Sequence, residues 1–171
     1  MSRLDSAIRR LTAQKLTLEH AARLISDLPG PAIELGLGNG RTYDHLRSLL
    51  PSRDIYIFDR QVAAHPDCIP DEAHLFLGDF SDTLPTANAR ICAPVAFAHL
   101  DIGTGEKQAS MALASAIAPL VAPLLADGAI VVSDQPLEGE PWKPEPLPDG
   151  IAEGRIHLYR KSAQEPSATA L

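Results

Sequence analysis

Short, nearly uninterrupted apolar runs alternate with amphipathic segments along most of the chain. Such runs predict strands of a sheet that is covered on both faces, because a strand with one exposed face would alternate apolar and polar residues. We therefore expect parallel strands in the centre of the fold, and one further strand close to the carboxyl end. The predicted strands are Ala32–Gly36, Asp54–Asp59, Ala73–Asp79, Pro94–Asp101, Gly128–Asp134 and Gly154–Lys161.

The amphipathic segments place apolar residues at helical spacing and predict helices over Arg41–Leu50 and Glu106–Leu125. Residues 1–28 predict N-terminal helices, with Thr17 as a candidate cap of a second one. Strand–helix alternation with right-handed crossovers produces a doubly wound, mostly parallel sheet. The sequence thus predicts an α/β fold with N-terminal helices and an antiparallel C-terminal strand.

The pattern changes after the fifth predicted strand. Five prolines between residues 135 and 150 exclude a continuous helix there. We expect the fold to be truncated or irregular in this proline-rich loop. Residues 1–161 are predicted to form a single domain around a core of residues 31–134, and residues 162–171 are predicted to be a flexible tail.

Composition narrows the class of protein. A chain of 171 residues that is 45% hydrophobic can bury one good core. The net charge of −7 argues against a nucleic-acid partner, and the apolar runs are too short to span a membrane. The first residues resemble no export signal, and Cys68 and Cys92 form no CxxC pair, so we expect a cytoplasmic protein with free thiols.

A glycine-rich turn follows the first predicted strand. Gly36, Gly38 and Gly40 let the backbone turn sharply and approach a ligand, with Leu37 and Asn39 between them. Dinucleotide-binding turns instead have the spacing G-x-G-x-x-G. Glu34, on the strand, would repel a pyrophosphate and favour a ligand with ammonium and sulfonium charges. The turn therefore indicates a cationic nucleoside.

Acidic residues also lie at the ends of the next three predicted strands. Asp59 could accept hydrogen bonds from both hydroxyls of a ribose, and Asp79 could accept one from an exocyclic amine. Phe80 offers an apolar ring beside a purine, and Asp101 ends the fourth strand. Because ligands of doubly wound sheets bind at the carboxyl ends of the strands, these residues predict one shared pocket.

The glycine turn with Glu34, the later Asp59 and the sequence Gly78-Asp79-Phe80 resemble the first three motifs of class I, Rossmann-like S-adenosylmethionine-dependent methyltransferases. The resemblance covers roughly residues 31–134 and implies S-adenosyl-L-methionine as methyl donor and S-adenosyl-L-homocysteine as product. It also implies a set of cofactor-binding residues. This set is Glu34, Gly36, Leu37, Gly38, Asn39, Gly40, Asp59, Arg60, Gly78, Asp79, Phe80 and Asp101.

Methyl transfer needs a general base only if the acceptor must lose a proton. Asp101 is the best-placed candidate, whereas His99 is more simply a hydrogen-bonded core residue. Asp101, Asp134 and Gln135 faintly resemble the magnesium site of catechol-type O-methyltransferases. Thr104 stands where that pattern has a lysine, so we expect no metal.

The acceptor is expected to be a small molecule, because no appended domain offers a large recognition surface. Trp142 in the proline-rich loop is either a substrate contact or a packing anchor, and Tyr43 is a weaker candidate for the pocket. An inactive cofactor-binding regulatory module is an alternative function, and the glycine spacing disfavours an oxidoreductase. The C-terminal edge of the sheet should be covered by the N-terminal helices or by a second copy of the chain.

Overall fold

A seven-stranded sheet forms the centre of the protein in the computed structural model, which describes residues 2–163. The strands are β1 (Ala32–Leu35), β2 (Ile55–Asp59), β3 (Leu75–Leu77), β4 (Val95–Leu100), β5 (Leu125–Ser133), β6 (Trp142–Pro144) and β7 (His157–Lys161). Their order is β3-β2-β1-β4-β5-β7-β6. The first five strands are parallel, and β7 is antiparallel to both of its neighbours. The predicted doubly wound, mostly parallel sheet is confirmed.

Helices cover both faces of the sheet. They are α1 (Arg3–Leu24), α2 (Arg41–Leu49), α3 (Phe80–Thr83) and α4 (Lys107–Val121). One apolar cluster joins α1 and α2 to the sheet, and the other lies on the side of α4. All residues of β1 and β4 are buried, which explains why these strands read as continuous apolar runs.

The prediction of two N-terminal helices was wrong. A single helix, α1, begins after Ser2, whose hydroxyl accepts from the backbone N–H of Asp5, while the Asp5 carboxylate accepts from the backbone N–H of Ser2. Thr17 lies inside this helix and is fully buried. Burial of this stretch against the sheet outweighs the local tendency of a threonine to begin a new helix.

The proline-rich segment contains no helix in the described chain, as predicted, but it does contain a strand. The sequence did not predict this strand, β6, which residues 142–144 form. Trp142, only 7% exposed, packs into the core and fixes this strand beside β7. As a result, β7 is the second strand from the edge and β6 is the edge itself.

Helix α4 ends earlier than the sequence predicted. The helix predicted over Glu106–Leu125 ends at Val121, since Pro123 brings a turn of 3₁₀ helix before β5.

Helix α1 lies on a face of the sheet, over β5, and not along its C-terminal edge. Coverage of that edge by a second copy stays a prediction. Of the predicted tail, residues 164–171 lie outside the described part of the chain, and the backbone N–H of Ser162 donates to Pro141.

No helix within residues 2–163 has both the length and the apolar character that a membrane span requires.

Candidate functional site

The glycine turn lies at the carboxyl end of β1, where the strand order reverses between β1 and β4. The backbone N–H of Gly36 donates to the carbonyl of Phe58 at 2.8 Å. Gly36 has a φ of +92°, and a Cβ added there would lie 2.1 Å from the carbonyl oxygen of Asp101. This glycine is therefore required by the close packing of two strand ends.

Gly38 differs from its neighbours in the turn. A Cβ added at Gly38 would have no heavy atom within 4 Å, whereas one added at Gly40 would lie 2.5 Å from the Cβ of Cys68. Gly40 is thus needed for packing, and Gly38 leaves open space above the turn. A ligand that approaches the backbone closely would use this space.

The carboxylate of Asp59 holds the turn in place. Its Oδ2 accepts from the backbone N–H of Leu37 at 2.8 Å and from that of Gly38 at 3.2 Å. Its Oδ1 accepts from the backbone N–H of Gln61 at 3.2 Å. Asp59 therefore connects the end of β2 to the glycine turn at the end of β1.

A cavity of about 630 Å³ opens beside this turn, and we call it the glycine-turn cavity. Seven of the predicted cofactor-binding residues line it. These are Gly36, Gly38, Asp59, Arg60, Asp79, Phe80 and Asp101. An apolar wall completes the cavity. The sequence did not indicate this wall, because its residues have the spacing of the buried face of any amphipathic helix. The wall consists of Ile102 with Leu113, Ile117 and Leu120 of α4.

Five predicted residues lie near this cavity but are not part of its lining. Leu37 and Gly78 contribute backbone hydrogen bonds to Asp59, and the side chain of Asn39 accepts from the backbone N–H of Arg41. Gly40 packs on Cys68. Glu34 is fully buried in the middle of β1. Their assignment to the cofactor stays a prediction.

A chain of buried polar side chains runs from Glu34 to Asp101. Oε1 of Glu34 lies 2.8 Å from Nδ1 of His99, whose Nε2 lies 3.4 Å from Nε2 of Gln14. The same amide nitrogen of Gln14 donates to Oδ2 of Asp101 at 3.1 Å. Gln14, on α1, is only 7% exposed and was not singled out from the sequence, although a glutamine on the buried side of an amphipathic helix is the signal that could have found it.

Asp101 and Asp134 follow the neighbouring strands β4 and β5. Burial, together with the negative charge of Asp101, raises the pKa of Asp134, although its oxygens accept from the backbone N–H groups of Ile102 and Gly103. A Cβ at Gly103 would lie 2.5 Å from Oδ2 of Asp134. Within residues 2–163, no group of three or more His, Cys, Asp or Glu residues is arranged to hold a metal ion.

A second cavity, of about 560 Å³, lies next to the first, and we call it the α1 cavity. Arg10 and Gln14 of α1 line it on one side, and Asp134 and Arg155 are also part of its wall. Asp101 and Gly103 belong to the lining of both cavities. The two cavities therefore meet at the carboxyl end of β4.

Tyr43 and Trp142 do not line either cavity. Both are buried, Tyr43 at 8% and Trp142 at 7% exposure, in the apolar clusters on opposite faces of the sheet. The position of Trp142 agrees with a packing anchor.

Comparison with known proteins relates this arrangement to one family. A sequence model described as S-adenosyl-L-methionine methyltransferase matches residues 1–161. A solved S-adenosyl-L-methionine methyl transferase from Silicibacter pomeroyi DSS-3 is 44% identical, with a TM-score of 0.89, over 95% of this chain and 99% of that one. No curated protein matches the chain.

Two more distant structures share the fold. The plantazolicin methyltransferase BpumL in complex with S-adenosylhomocysteine has a TM-score of 0.54 at 13% identity, over 77% of this chain and 49% of that one. MycE methyltransferase from the mycinamycin biosynthetic pathway, in complex with Mg, S-adenosylhomocysteine and mycinamycin VI, has a TM-score of 0.54 at 16% identity, over 86% and 46%.

Proposed function

The chain belongs to the S-adenosyl-L-methionine methyltransferase family, and we propose that it transfers a methyl group to a small-molecule acceptor where its two cavities meet. The observation that carries this proposal is the sharing of Asp101 and Gly103 by both cavities. A methyl donor in one cavity and an acceptor in the other would face each other at this point. In-line transfer requires the nucleophile of the acceptor to approach the methyl carbon opposite the sulfur. Well-oriented intramolecular reactions reach effective molarities of about 10⁵–10⁸ M, so orientation alone can contribute much of the rate enhancement.

The glycine-turn cavity suits the cofactor. Gly38 leaves room for a ligand against the backbone, and Asp59 supplies carboxylate oxygens at the end of β2. Phe80, Ile102 and the apolar stripe of α4 would accommodate a purine ring. When bound, S-adenosyl-L-methionine supplies an electrophilic methyl carbon whose C–S bond breaks with the electron pair remaining on sulfur. We assign Asp59 to the ribose and Asp79 with Phe80 to the adenine.

Asp101 is our candidate for the group that acts on the acceptor. It lines both cavities, and Gln14 donates a hydrogen bond to its carboxylate. An acceptor hydroxyl bound beside Asp101 could pass its proton to this carboxylate as the new oxygen–carbon bond forms. An acceptor ammonium group could pass its proton to Asp101 first, and the freed lone pair on nitrogen would then attack the methyl carbon. Gln14 would act through Asp101 as a positioning residue.

The net charge of −7 supports a small molecule over nucleic acid as the acceptor. We also propose a cytoplasmic location, which the unpaired Cys68 and Cys92 support. The methyltransferases MycE and BpumL, at 13–16% identity, support the fold and not the acceptor.

A turnover assay tests the proposal against an inactive regulatory module. Release of S-adenosyl-L-homocysteine is measured over a panel of small-molecule amines, alcohols and thiols. We expect turnover with at least one acceptor, and its loss in Asp59→Ala. Tight cofactor binding without turnover on any member would favour the regulatory module.

A further inference from the structure

Three cationic side chains surround the α1 cavity and come from three different elements. Arg10 belongs to α1, Lys107 is the first residue of α4, and Arg155 precedes β7. Arg10 and Gln14 are separated by one helical turn, so they lie on the same face of α1. The rest of the protein is acidic, with a net charge of −7 for the whole chain. The same cavity is also lined by three carboxylates, those of Asp101, Glu106 and Asp134.

These cations have no partner in the part of the chain that the structure describes. None of the three forms an ion pair or a side-chain hydrogen bond there. By contrast, Arg47 and Arg160 elsewhere on the surface each pair with a carboxylate. The three cations of the cavity are therefore free to bind a ligand.

The carboxylates of the same cavity are already engaged by donors of the protein. Asp101 accepts from Gln14, and Asp134 accepts from two backbone N–H groups. Glu106 caps α4, where the backbone N–H groups of Ala109 and Gln108 lower its pKa. Asp134 and Glu106 thus hold the backbone of the site, and Asp101 keeps acceptor capacity for the reacting group. The three basic groups line the cavity without partners in the described chain.

We propose that the α1 cavity binds the acceptor through an anionic group, a carboxylate or a phosphate, which Arg10, Lys107 and Arg155 hold. Arginine and lysine side chains bind such groups by charge-assisted hydrogen bonds. The nucleophilic end of the acceptor then lies toward Asp101, where the two cavities meet. This inference rests on the proposed function and names the class of acceptor for it.

The cofactor carries a carboxylate of its own, and this is the main competing occupant. Protein saturated with S-adenosyl-L-homocysteine distinguishes the two occupants, because the carboxylate of this ligand is then already bound. An anion that binds to this complex must use a separate site. Malonate and inorganic phosphate serve as probes of the two anion types.

The experiment measures binding of each probe to the saturated protein by calorimetry, with chloride keeping the ionic strength constant. We expect malonate or phosphate to bind at millimolar concentration, and Arg155→Gln and Lys107→Gln each to weaken that binding about tenfold or more. Arg9→Gln is the matched control, because Arg9 lies on the same helix as Arg10 but outside the cavity lining. The probe that binds more tightly identifies the anion type.

The inference is overturned if neither anion binds more tightly than chloride, or if the three variants bind the probes equally. It is also overturned if Arg155→Gln weakens binding of S-adenosyl-L-homocysteine itself by a similar factor, because the cations would then serve the cofactor. Failure of wild-type protein to bind S-adenosyl-L-homocysteine at all would instead contradict the proposed function.

Discussion

Nδ1 of His99 lies 2.8 Å from Oε1 of Glu34, and both side chains are buried between the sheet and α1. Burial alone lowers the pKa of an imidazole. The hydrogen bond and charge of Glu34, followed by the charges of Asp101 and Asp134, more than offset it and raise the pKa of His99 above its ordinary value. The folded state therefore binds this proton more tightly than the unfolded state does.

This difference predicts a pH dependence of stability. The contribution of the pair is fully present below the ordinary histidine pKa of 6.5 and is lost as the pH rises through the higher folded value. We expect the free energy of unfolding of the wild-type protein to fall between pH 6.5 and the higher folded value. The fall should be smaller in Glu34→Gln, where His99 loses the hydrogen bond and the charge of Glu34. Urea unfolding across neutral and mildly alkaline pH measures it. Identical slopes for both proteins would contradict the assignment, and His65→Gln, at an exposed histidine, is the control.

Gln14 connects this pair to Asp101, and its removal should destabilise the protein. Gln14→Leu keeps much of the side-chain volume but removes the donor to Oδ2 of Asp101 and the polar contact with Nε2 of His99. We expect a loss of about 1–3 kcal/mol in the free energy of unfolding. Gln108→Leu, at an exposed position of α4, should change it by less than about 0.5 kcal/mol. Equal effects of the two substitutions would show that the buried polar contacts of Gln14 contribute nothing to the free energy of unfolding.

Gly38 and Gly128 form a matched pair for testing the cofactor site. Both have positive φ, +51° and +81°, and an added Cβ has open space at each. Alanine at either position should cost about 1–2 kcal/mol of backbone strain. Only Gly38→Ala places a methyl group in the glycine-turn cavity, and we expect it to weaken binding of S-adenosyl-L-homocysteine about tenfold or more. Calorimetric affinities that are the same for both variants would remove Gly38 from the cofactor site.

Asp59 should contribute to binding through charge. In Asp59→Asn the side chain stays nearly the same size but loses one acceptor oxygen and its charge. We expect S-adenosyl-L-homocysteine to bind about 10- to 100-fold more weakly, as for loss of a hydrogen bond to a charged group. Asp82→Asn, on the exposed surface of α3, should leave the affinity unchanged. Undiminished affinity in Asp59→Asn would mean that this carboxylate only holds the glycine turn.

Much of the fold followed from local signals. Apolar runs predicted the central strands because β1 and β4 are buried on both faces, and the prolines correctly excluded a helix directly after β5 in the described chain. Thr17 misled because its burial against the sheet depends on residues far away in the chain. Strand β6 was missed since three residues carry little periodicity, and the strand exists through its pairing with β7.

The residues of the candidate site that belong to a recognisable motif could be predicted from the sequence. Gly38 and Asp59 stand in recognisable positions at strand ends, and both line the glycine-turn cavity. Gln14 and Arg155 could not be found in the same way, because they reach the α1 cavity only through the packing of α1 and the chain before β7. We propose that acceptor recognition depends on these two parts of the chain, whereas the glycine turn indicates the methyl donor.

A crystal structure of the protein with S-adenosyl-L-homocysteine tests most directly whether the two cavities serve donor and acceptor. We predict the adenine against Phe80, the ribose at Asp59 and the sulfur beside Asp101 and Gly103, facing the α1 cavity. A sulfur atom that lies away from this junction, or an adenine bound in the α1 cavity, would contradict the proposed arrangement.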